Sequence, residues 1–212
     1  MVLPKITFRY SWIYDRNLYR LAFDKENDDI RYFERRKKES LEAIAKLESR
    51  LGPVLSEYLI RFSNVLGVDW EDHDITVYVL PDLHKPMKVL GFSDPMTVVL
   101  RGWDDHQSVQ LSLDTIFYTT IHELSHIIQR PLHKTNYAIN LMKVANNESI
   151  TVRNHILTFA LLKKVLGERD FYKLTQRHHS DRAYKKSLDL VERLGEDNII
   201  EEAREYLSGK KV

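Results

Sequence analysis

Cysteine is absent from the 212 residues of this chain, which excludes disulfide bonds, thiolate metal ligands and cysteine nucleophiles. Any metal site must therefore use histidine, aspartate or glutamate side chains. Glycine is scarce as well, at 7 residues, and neither a linker rich in glycine and serine nor an internal repeat divides the chain. Because 43% of the positions are apolar, we expect one compact unit with a sizeable core, with or without an extension.

An excess of charge of either sign is also lacking, since 32 lysine and arginine residues face 31 aspartate and glutamate residues. This balance gives no electrostatic reason to expect a nucleic acid or an anionic membrane as partner. The basic cluster at residues 35–38 lies between Glu34 and Glu39, which is more typical of a solvated helix face than of a nucleic-acid surface. No run of about 20 apolar residues is present, and the N-terminal residues mix charges with aromatics, unlike a signal peptide. We therefore expect a cytoplasmic protein without a membrane partner, and its oligomeric state stays open.

Residues 1–66 differ in pattern from the rest of the chain. They begin with an aromatic-rich segment, for which a strand is expected, and continue with charged and apolar residues at helical spacing. Gly52 and Pro53 are expected to divide this second stretch into two helices, because proline removes a helix hydrogen bond. We interpret residues 1–66 as an N-terminal extension packed on a second region, residues 67–212. A single domain of residues 1–212 is the alternative.

A period of two in hydrophobicity marks the region after residue 67. Ile75, Val77 and Val79 predict a strand that ends before a proline, and two further short strands are expected at residues 96–100 and 108–111. The rest of the chain predicts helices, at residues 114–130, 135–146, 148–165, 168–178, 181–194 and 196–208. The predicted fold class is therefore α+β, with a small, mostly antiparallel or mixed sheet followed by a mainly helical C-terminal part.

The sequence His-Glu-x-x-His, formed by His122, Glu123 and His126, lies within the helix predicted at residues 114–130. Two histidines four residues apart share one helix face, so His122 and His126 can bind one zinc ion. Glu123 lies beside them and can reach a water molecule polarised by the metal without being a ligand. The helix also carries an apolar stripe that would bury it, formed by Phe117, Ile121, Leu124 and Ile128. The alternative is a pair of ordinary, partly buried histidines.

A catalytic zinc site needs a third protein ligand, and the residues after His126 restrict the choice. An eleven-residue metzincin pattern would require glycine at position 129 and histidine at position 132, where this chain has Gln129 and Leu132. Glu148 is the better candidate, because it stands at the start of the next helix with an apolar pattern. From there its carboxylate could face both histidines across a pair of helices.

These residues resemble the gluzincins, zinc metallopeptidases that carry His-Glu-x-x-His on one helix and a glutamate ligand on the next. Thermolysin-like members have Asn-Glu-x-Ile around that ligand, and residues 147–150 of this chain, Asn-Glu-Ser-Ile, look similar. The resemblance spans residues 112–155. It implies a zincin-like fold, in which a small sheet precedes the active-site helix, and Zn²⁺ as the cofactor.

The resemblance also implies the roles of the site residues. The zinc ligands would be His122, His126 and Glu148. Glu123 would be the catalytic carboxylate. Thermolysin-like enzymes place an aspartate four residues after the ligand glutamate, where it orients a zinc histidine, and this chain has Val152 there. That contact must come from another residue or be absent.

The predicted activity is hydrolysis of peptide bonds in a peptide or protein substrate. Glu123 would take a proton from the zinc-activated water and later transfer it to the leaving amine. Two residues could donate a hydrogen bond to the oxyanion: Tyr137, which follows the active helix, and His155, which shares a helix face with Glu148. The alternatives are a packed tyrosine whose hydroxyl is satisfied and a histidine at the edge of the core.

Substrate recognition offers a further expectation, because extended peptides can bind by adding a strand to the edge of a sheet. The predicted strands at residues 96–100 and 108–111 are the candidates for such an edge. A purely structural strand is the alternative in both cases.

Two other functions stay open on the sequence alone. The first is a regulatory zincin whose N-terminal region recognises one partner protein, which is its only substrate. The second is a catalytically silent domain, in which zinc joins two helices and contributes to stability.

Overall fold

The computed structural model describes most of the chain, namely residues 2–25, 27, 29–84, 89–104, 107–137, 145, 148–176 and 181–211. The strands within these ranges are β1 (Lys5–Arg9), β2 (Asp74–Leu80), β3 (Gly91–Ser93), β4 (Met96–Val99), β5 (Arg101–Asp104) and β6 (Gln107–Gln110). The α-helices are α1 (Trp12–Phe23), α2 (Ile30–Leu66), α3 (Leu113–Ile128), α4 (Ile150–Leu166), α5 (Glu168–Gln176), α6 (Arg182–Leu194) and α7 (Glu196–Leu207). A 3₁₀ helix at Arg130–Lys134 follows α3. This is the predicted α+β class, while the zincin-like topology stays a prediction.

The chain forms two compact units. The sheet unit comprises Pro4–Ser56 and Asp72–Glu123 and contains the six described strands. The helical unit comprises Met1–Leu3, Glu57–Glu71 and Leu124–Val212. The boundary at residue 66 and the single-domain alternative both stay predictions.

Four strands of the sheet unit form a mixed sheet in the order β1-β2-β4-β3. β1 pairs with β2 and β2 pairs with β4 in parallel, whereas β3 is antiparallel to β4. The predicted strand around Ile75, Val77 and Val79 is β2, and these three side chains are buried. β5 and β6 form a separate antiparallel ribbon, and β6 matches the strand predicted at residues 108–111.

The position of β4 corrects one expectation. Residues 96–100 were a candidate for a substrate-binding edge, but β4 is paired on both sides, with β2 and with β3. The edge of the four-stranded sheet on this side is β3 instead. With three residues it is too short to leave a period-two pattern in the sequence.

Helix α2 runs without interruption from Ile30 to Leu66, so the predicted break at Gly52 and Pro53 is wrong. Proline in a helix interior costs about 3 kcal/mol relative to alanine. Burial of one leucine side chain contributes about 1.5–3 kcal/mol, and α2 buries leucines before and after Pro53, which itself is exposed. Burial of this stripe therefore outweighs the cost of the proline, and its members are Leu47, Leu51, Leu55 and Leu59.

A buried ion-pair network joins α1, α2 and the end of β2 within the sheet unit. Arg36 donates to both carboxylate oxygens of Asp15, at 2.9 and 3.0 Å, and to Asp82 Oδ1 at 2.9 Å. The His84 ring lies 2.8 Å from Asp15 Oδ1. Arg36 belongs to the basic cluster at residues 35–38, and its inward direction means that this cluster is not a continuous basic surface.

The helical unit is organised around α4, whose inner side chains are almost fully buried and which packs against α6 and α7. Gly167 directly follows α4 and Gly195 directly follows α6, both at positive φ, where glycine carries no steric penalty. The predicted helices from residue 148 onward are therefore confirmed, whereas the one predicted at residues 135–146 lies largely outside the described residues. In the part of the chain that the structure describes, no helix has the length and apolarity to cross a membrane.

Candidate metal centre

Helix α3 carries the His-Glu-x-x-His sequence, as predicted. Its N-cap is Ser112, whose Oγ accepts a hydrogen bond from Thr115 N at 3.1 Å, and Asp114 lies in the first turn. The expected apolar stripe is present, because Ile121, Leu124 and Ile128 are almost fully buried. Burial of this stripe fixes the rotation of α3 about its axis and thereby the directions of His122 and His126.

Helix α4 supplies a third histidine. Ser149 caps this helix through a hydrogen bond of 3.3 Å from Val152 N to Ser149 Oγ. His155 lies on the second turn, and its ring packs edge to face against Tyr184 of α6, with ring centroids 4.5 Å apart. The packing of α6 on α4 therefore restricts the orientation of the His155 ring.

The structure brings His122, His126 and His155 together. One ligand atom from each ring lies within 4.8 Å of those of the other two. His122 and His155 are 6% and 8% exposed, and His126 is partly exposed. A buried group of three imidazoles at this spacing could hold a metal ion.

Glu148 is not a member of this group of ligand atoms. Its carboxylate lies 3.4 Å from Lys186 Nζ, in a partly exposed ion pair. The assignment of Glu148 as the third ligand therefore stays a prediction, and the group contains His155, predicted as an oxyanion donor, in addition to His122 and His126. The neighbouring Asn147, which carries part of the resemblance, lies outside the described residues.

The donor set fits zinc. Imidazole nitrogen is a preferred zinc ligand, and three imidazoles with one open position form a known type of catalytic zinc site. Tetrahedral zinc places neighbouring ligand nitrogens about 3.3 Å apart, from a Zn–N distance of about 2.0–2.1 Å. The spacing within 4.8 Å is compatible with this geometry after small rotations of the rings. A calcium or magnesium site would instead require oxygen ligands.

A hydrogen bond selects the coordinating atom of His155. Its Nδ1 lies 2.7 Å from the backbone carbonyl oxygen of Thr151. A carbonyl oxygen can only accept, so Nδ1 carries the proton. The neutral ring therefore directs its lone pair from Nε2, which is the atom that would bind a metal.

A second contact engages the ring of His126. Its Nδ1 lies 3.3 Å from Thr158 Oγ1, on the facing turn of α4. The same hydroxyl lies 3.0 Å from the carbonyl oxygen of Asn154 and 3.0 Å from Gln129 Nε2. His126 is thus connected to α4 through a buried polar network, although Val152 cannot supply the contact that thermolysin-like enzymes obtain from aspartate.

Burial keeps the imidazole rings of His126 and His155 neutral. It lowers the pKa of His126 to about 3, with smaller contributions from His155 and His133. Burial also lowers the pKa of His155, against the opposing effect of its hydrogen bond to Thr151. Neutral imidazoles bind metals without first losing a proton, so these shifts favour metal binding at neutral pH.

Glu123 lies on α3 beside His122 and is 8% exposed. Burial raises the pKa of its carboxyl group from the usual 4.5 to about 8. A carboxyl group with a pKa near neutrality can both accept and release a proton in that range, which is the property required of a general base.

Gly91 of the edge strand β3 packs against α3 next to Glu123. A Cβ atom at position 91 would lie 2.7 Å from the Thr97 carbonyl oxygen, 2.8 Å from Thr119 Cγ2 and 3.4 Å from Glu123 Cγ. The edge of the sheet can approach the carboxylate side of α3 this closely only because residue 91 has no side chain.

Tyr137 does not join this group. It is buried, and its ring lies 5.6 Å from that of Tyr206 in α7. Its hydroxyl has no hydrogen-bond partner among the described residues. The proposed role of Tyr137 as an oxyanion donor stays a prediction.

Sequence reasoning missed two kinds of residue in this centre. Thr158 and Gln129 contribute through hydrogen bonds between helices, and the sequence carries no signal for them except helical spacing from His155 and His126. Gly91 lies in a strand too short to be recognised. His155 was predicted as an oxyanion donor, and its position in the group makes it a candidate metal ligand.

Comparison with known proteins gives no assignment. No protein-family model, no curated protein and no solved structure matches the chain. The interpretation of the centre therefore depends on its geometry and chemistry.

Proposed function

We propose that the protein is a zinc-dependent peptidase, with His122, His126 and His155 as metal ligands and Glu123 as general base. The observation that carries this proposal is the convergence of three imidazoles, those of His122 and His155 buried and that of His126 partly exposed, with the buried carboxylate of Glu123 next to His122 on α3. A bound zinc ion would supply a Lewis acid for the scissile carbonyl and lower the pKa of a coordinated water to about 7.

Glu123 performs the proton transfers in this proposal. It precedes His126 by three residues and follows His122 directly, so it flanks the ligands without taking part in the group. Its carboxylate accepts a proton from the attacking water, and its acid form then donates this proton to the leaving amine. The burial that raises its pKa supports both steps, because it brings the two protonation states close in free energy.

Gly91 and the edge strand β3 support a peptide as the substrate. A strand at the edge of a sheet offers backbone groups to an extended peptide. β3 is such an edge, and Gly91 brings it against Thr119 and Glu123 of α3. An extended chain added to β3 would therefore run close to the general base.

A structural metal site is the second candidate, favoured by the burial of His122 and His155. Such a site requires only its ligands and does not account for the buried carboxyl group of Glu123 next to them. The predicted regulatory form differs from a general peptidase only in its substrate. A general peptidase would cleave many unstructured peptides, whereas the regulatory form would cleave one partner protein.

The test combines metal analysis with peptide hydrolysis. Wild-type protein should retain about one zinc ion per chain after dialysis and cleave unstructured peptides. Glu123→Gln should retain zinc and lose activity by a factor of about 10²–10⁴, the contribution of a general base. Glu192→Gln, at an exposed position of α6, is the matched control and should resemble wild type.

Each alternative has its own outcome. Zinc binding without cleavage of any peptide or protein would favour the structural site. Cleavage of one partner alone would favour the regulatory form. A wild-type protein that binds no zinc at all would contradict the proposal.

A further inference from the structure

We propose that Thr158 is a positioning residue that holds His126 in the tautomer and orientation required for metal binding. This inference rests on the proposed function, because it takes His126 as a metal ligand. It assigns to Thr158 and Gln129 a role in the centre that no residue pattern in the sequence indicates.

The donors and acceptors around the Thr158 hydroxyl determine which atom carries the proton between Thr158 and His126. The hydroxyl has one proton and two acceptor positions. The Asn154 carbonyl oxygen, 3.0 Å away, can only accept, so it takes the hydroxyl proton. With the proton directed to His126 instead, two oxygen atoms would face each other at 3.0 Å without a proton between them.

The side chain of Gln129 uses one acceptor position of this hydroxyl. Its Nε2 lies 2.6 Å from the Ser125 carbonyl oxygen and 3.0 Å from Thr158 Oγ1. Because the Ser125 carbonyl oxygen can only accept, the amide nitrogen of Gln129 and not its oxygen faces it, and the second amide proton reaches Thr158. Gln129 is buried, so water does not compete for these protons.

The remaining acceptor position of Thr158 therefore receives the proton of His126 Nδ1, at 3.3 Å. A neutral imidazole has one proton, and its presence on Nδ1 leaves the lone pair on Nε2. The other tautomer would place a proton where the metal must bind. Thr158 thus performs, with a neutral hydroxyl, the task that an aspartate performs in thermolysin-like enzymes.

The experiment compares three variants of the 212-residue chain. Thr158→Val removes the hydroxyl at nearly constant volume, Thr158→Ser retains it, and Thr175→Val removes a different buried hydroxyl of the helical unit as a control. Zinc affinity is measured by competition with a chromogenic chelator. The tautomer of neutral His126 is measured by ¹⁵N NMR of the metal-free protein.

Thr158→Val should weaken zinc binding about tenfold, the lower end of the effect of removing a residue that orients a metal ligand. It should also shift His126 from the Nδ1–H tautomer toward a mixture. Thr158→Ser and Thr175→Val should resemble wild type in both measurements. Thr158→Ala replaces the valine variant if circular dichroism shows that the latter does not fold.

Two results would overturn the inference in distinguishable ways. Equal zinc affinity and an unchanged tautomer in wild type and Thr158→Val would remove the role of Thr158 and leave the proposed function intact. A wild-type protein without zinc affinity would remove the proposed function and this role together.

Discussion

The imidazole rings of His126 and His155 meet almost at a right angle, with their centroids 4.9 Å apart and an interplanar angle of 84°. The two residues are on different helices, α3 and α4, and both Nδ1 atoms are engaged by groups of α4. This packing supports His155 as the third metal ligand beside the two histidines of α3. Substitution of His155 and of Glu148 tests that assignment directly.

His155→Ala should weaken zinc binding by more than about 100-fold, because it removes a ligand, which has a larger effect than removal of a residue that only orients one. Glu148→Gln should leave zinc binding unchanged, since the Glu148 carboxylate pairs with Lys186. Zinc content after dialysis and chelator competition measure both effects. The opposite pattern, with loss in Glu148→Gln and retention in His155→Ala, would restore the glutamate ligand predicted from the sequence.

The buried network around Arg36 makes stability depend on pH in acid. Burial opposes ionisation of Asp15, but hydrogen bonds from His84 and Arg36 outweigh it and lower the pKa of Asp15 below its usual 3.8. The pKa of Asp82 is lowered in the same way, with burial outweighed by Arg36 and Arg101. Carboxylates with a lowered folded-state pKa contribute stability above pH 4 or so, and this contribution is lost as the pH falls further.

Asp15→Asn should therefore destabilise the protein at pH 7 by about 3–5 kcal/mol, the cost of removing one partner from a buried ion pair. It should also flatten the fall in stability between pH 5 and pH 3. Urea unfolding at several pH values measures both effects. Glu57→Gln, in the exposed pair with Arg61, is the control and should change stability by less than about 1 kcal/mol. Equal pH profiles for wild type and Asp15→Asn would contradict the prediction.

Two glycine substitutions should have opposite signs. Gly91→Ala places a methyl group within 2.7 Å of a backbone oxygen and should destabilise the protein by about 1–3 kcal/mol. Gly52→Ala, in the interior of α2 with open space around the new Cβ, should stabilise it by about 0.5–1 kcal/mol. Thermal and urea unfolding of both variants give the comparison. Similar effects of the two substitutions would mean that β3 does not pack against α3 as described.

Pro53→Ala should stabilise the protein by about 1–3 kcal/mol, because alanine restores a helix hydrogen bond at an exposed position of α2. The gain is reduced by the lower unfolded-state entropy that proline provides. Val54→Ala, at the neighbouring exposed position, controls for the loss of side-chain atoms. A destabilised Pro53→Ala variant would indicate that α2 needs the proline for its packing.

Local pattern predicted most of the helices and the strand β2, because each depends on periodicity and end signals within a few residues. It failed at Pro53, where burial of a leucine stripe along α2 outweighs a local penalty. It also could not identify β3 as the sheet edge, since strand order depends on pairing between distant segments.

The candidate centre shows the same division. His122, Glu123 and His126 follow from spacing on one helix. The choice between Glu148 and His155 depends on how α4 packs against its neighbours, which no local pattern encodes. Both residues were site candidates on the sequence alone, Glu148 as a ligand and His155 as an oxyanion donor. Only the arrangement of α3 and α4 brings His155 to the other two histidines.

The Thr158 hydroxyl uses its one proton and both of its acceptor positions in hydrogen bonds, which limits the residues that can replace threonine here. Only serine offers the same one proton and two acceptor positions from a similar point. A distant homologue that keeps the centre would carry glutamine three residues after the second histidine, and threonine or serine three residues after the histidine of α4. The two spacings together could identify homologues whose overall sequence similarity to this chain is low.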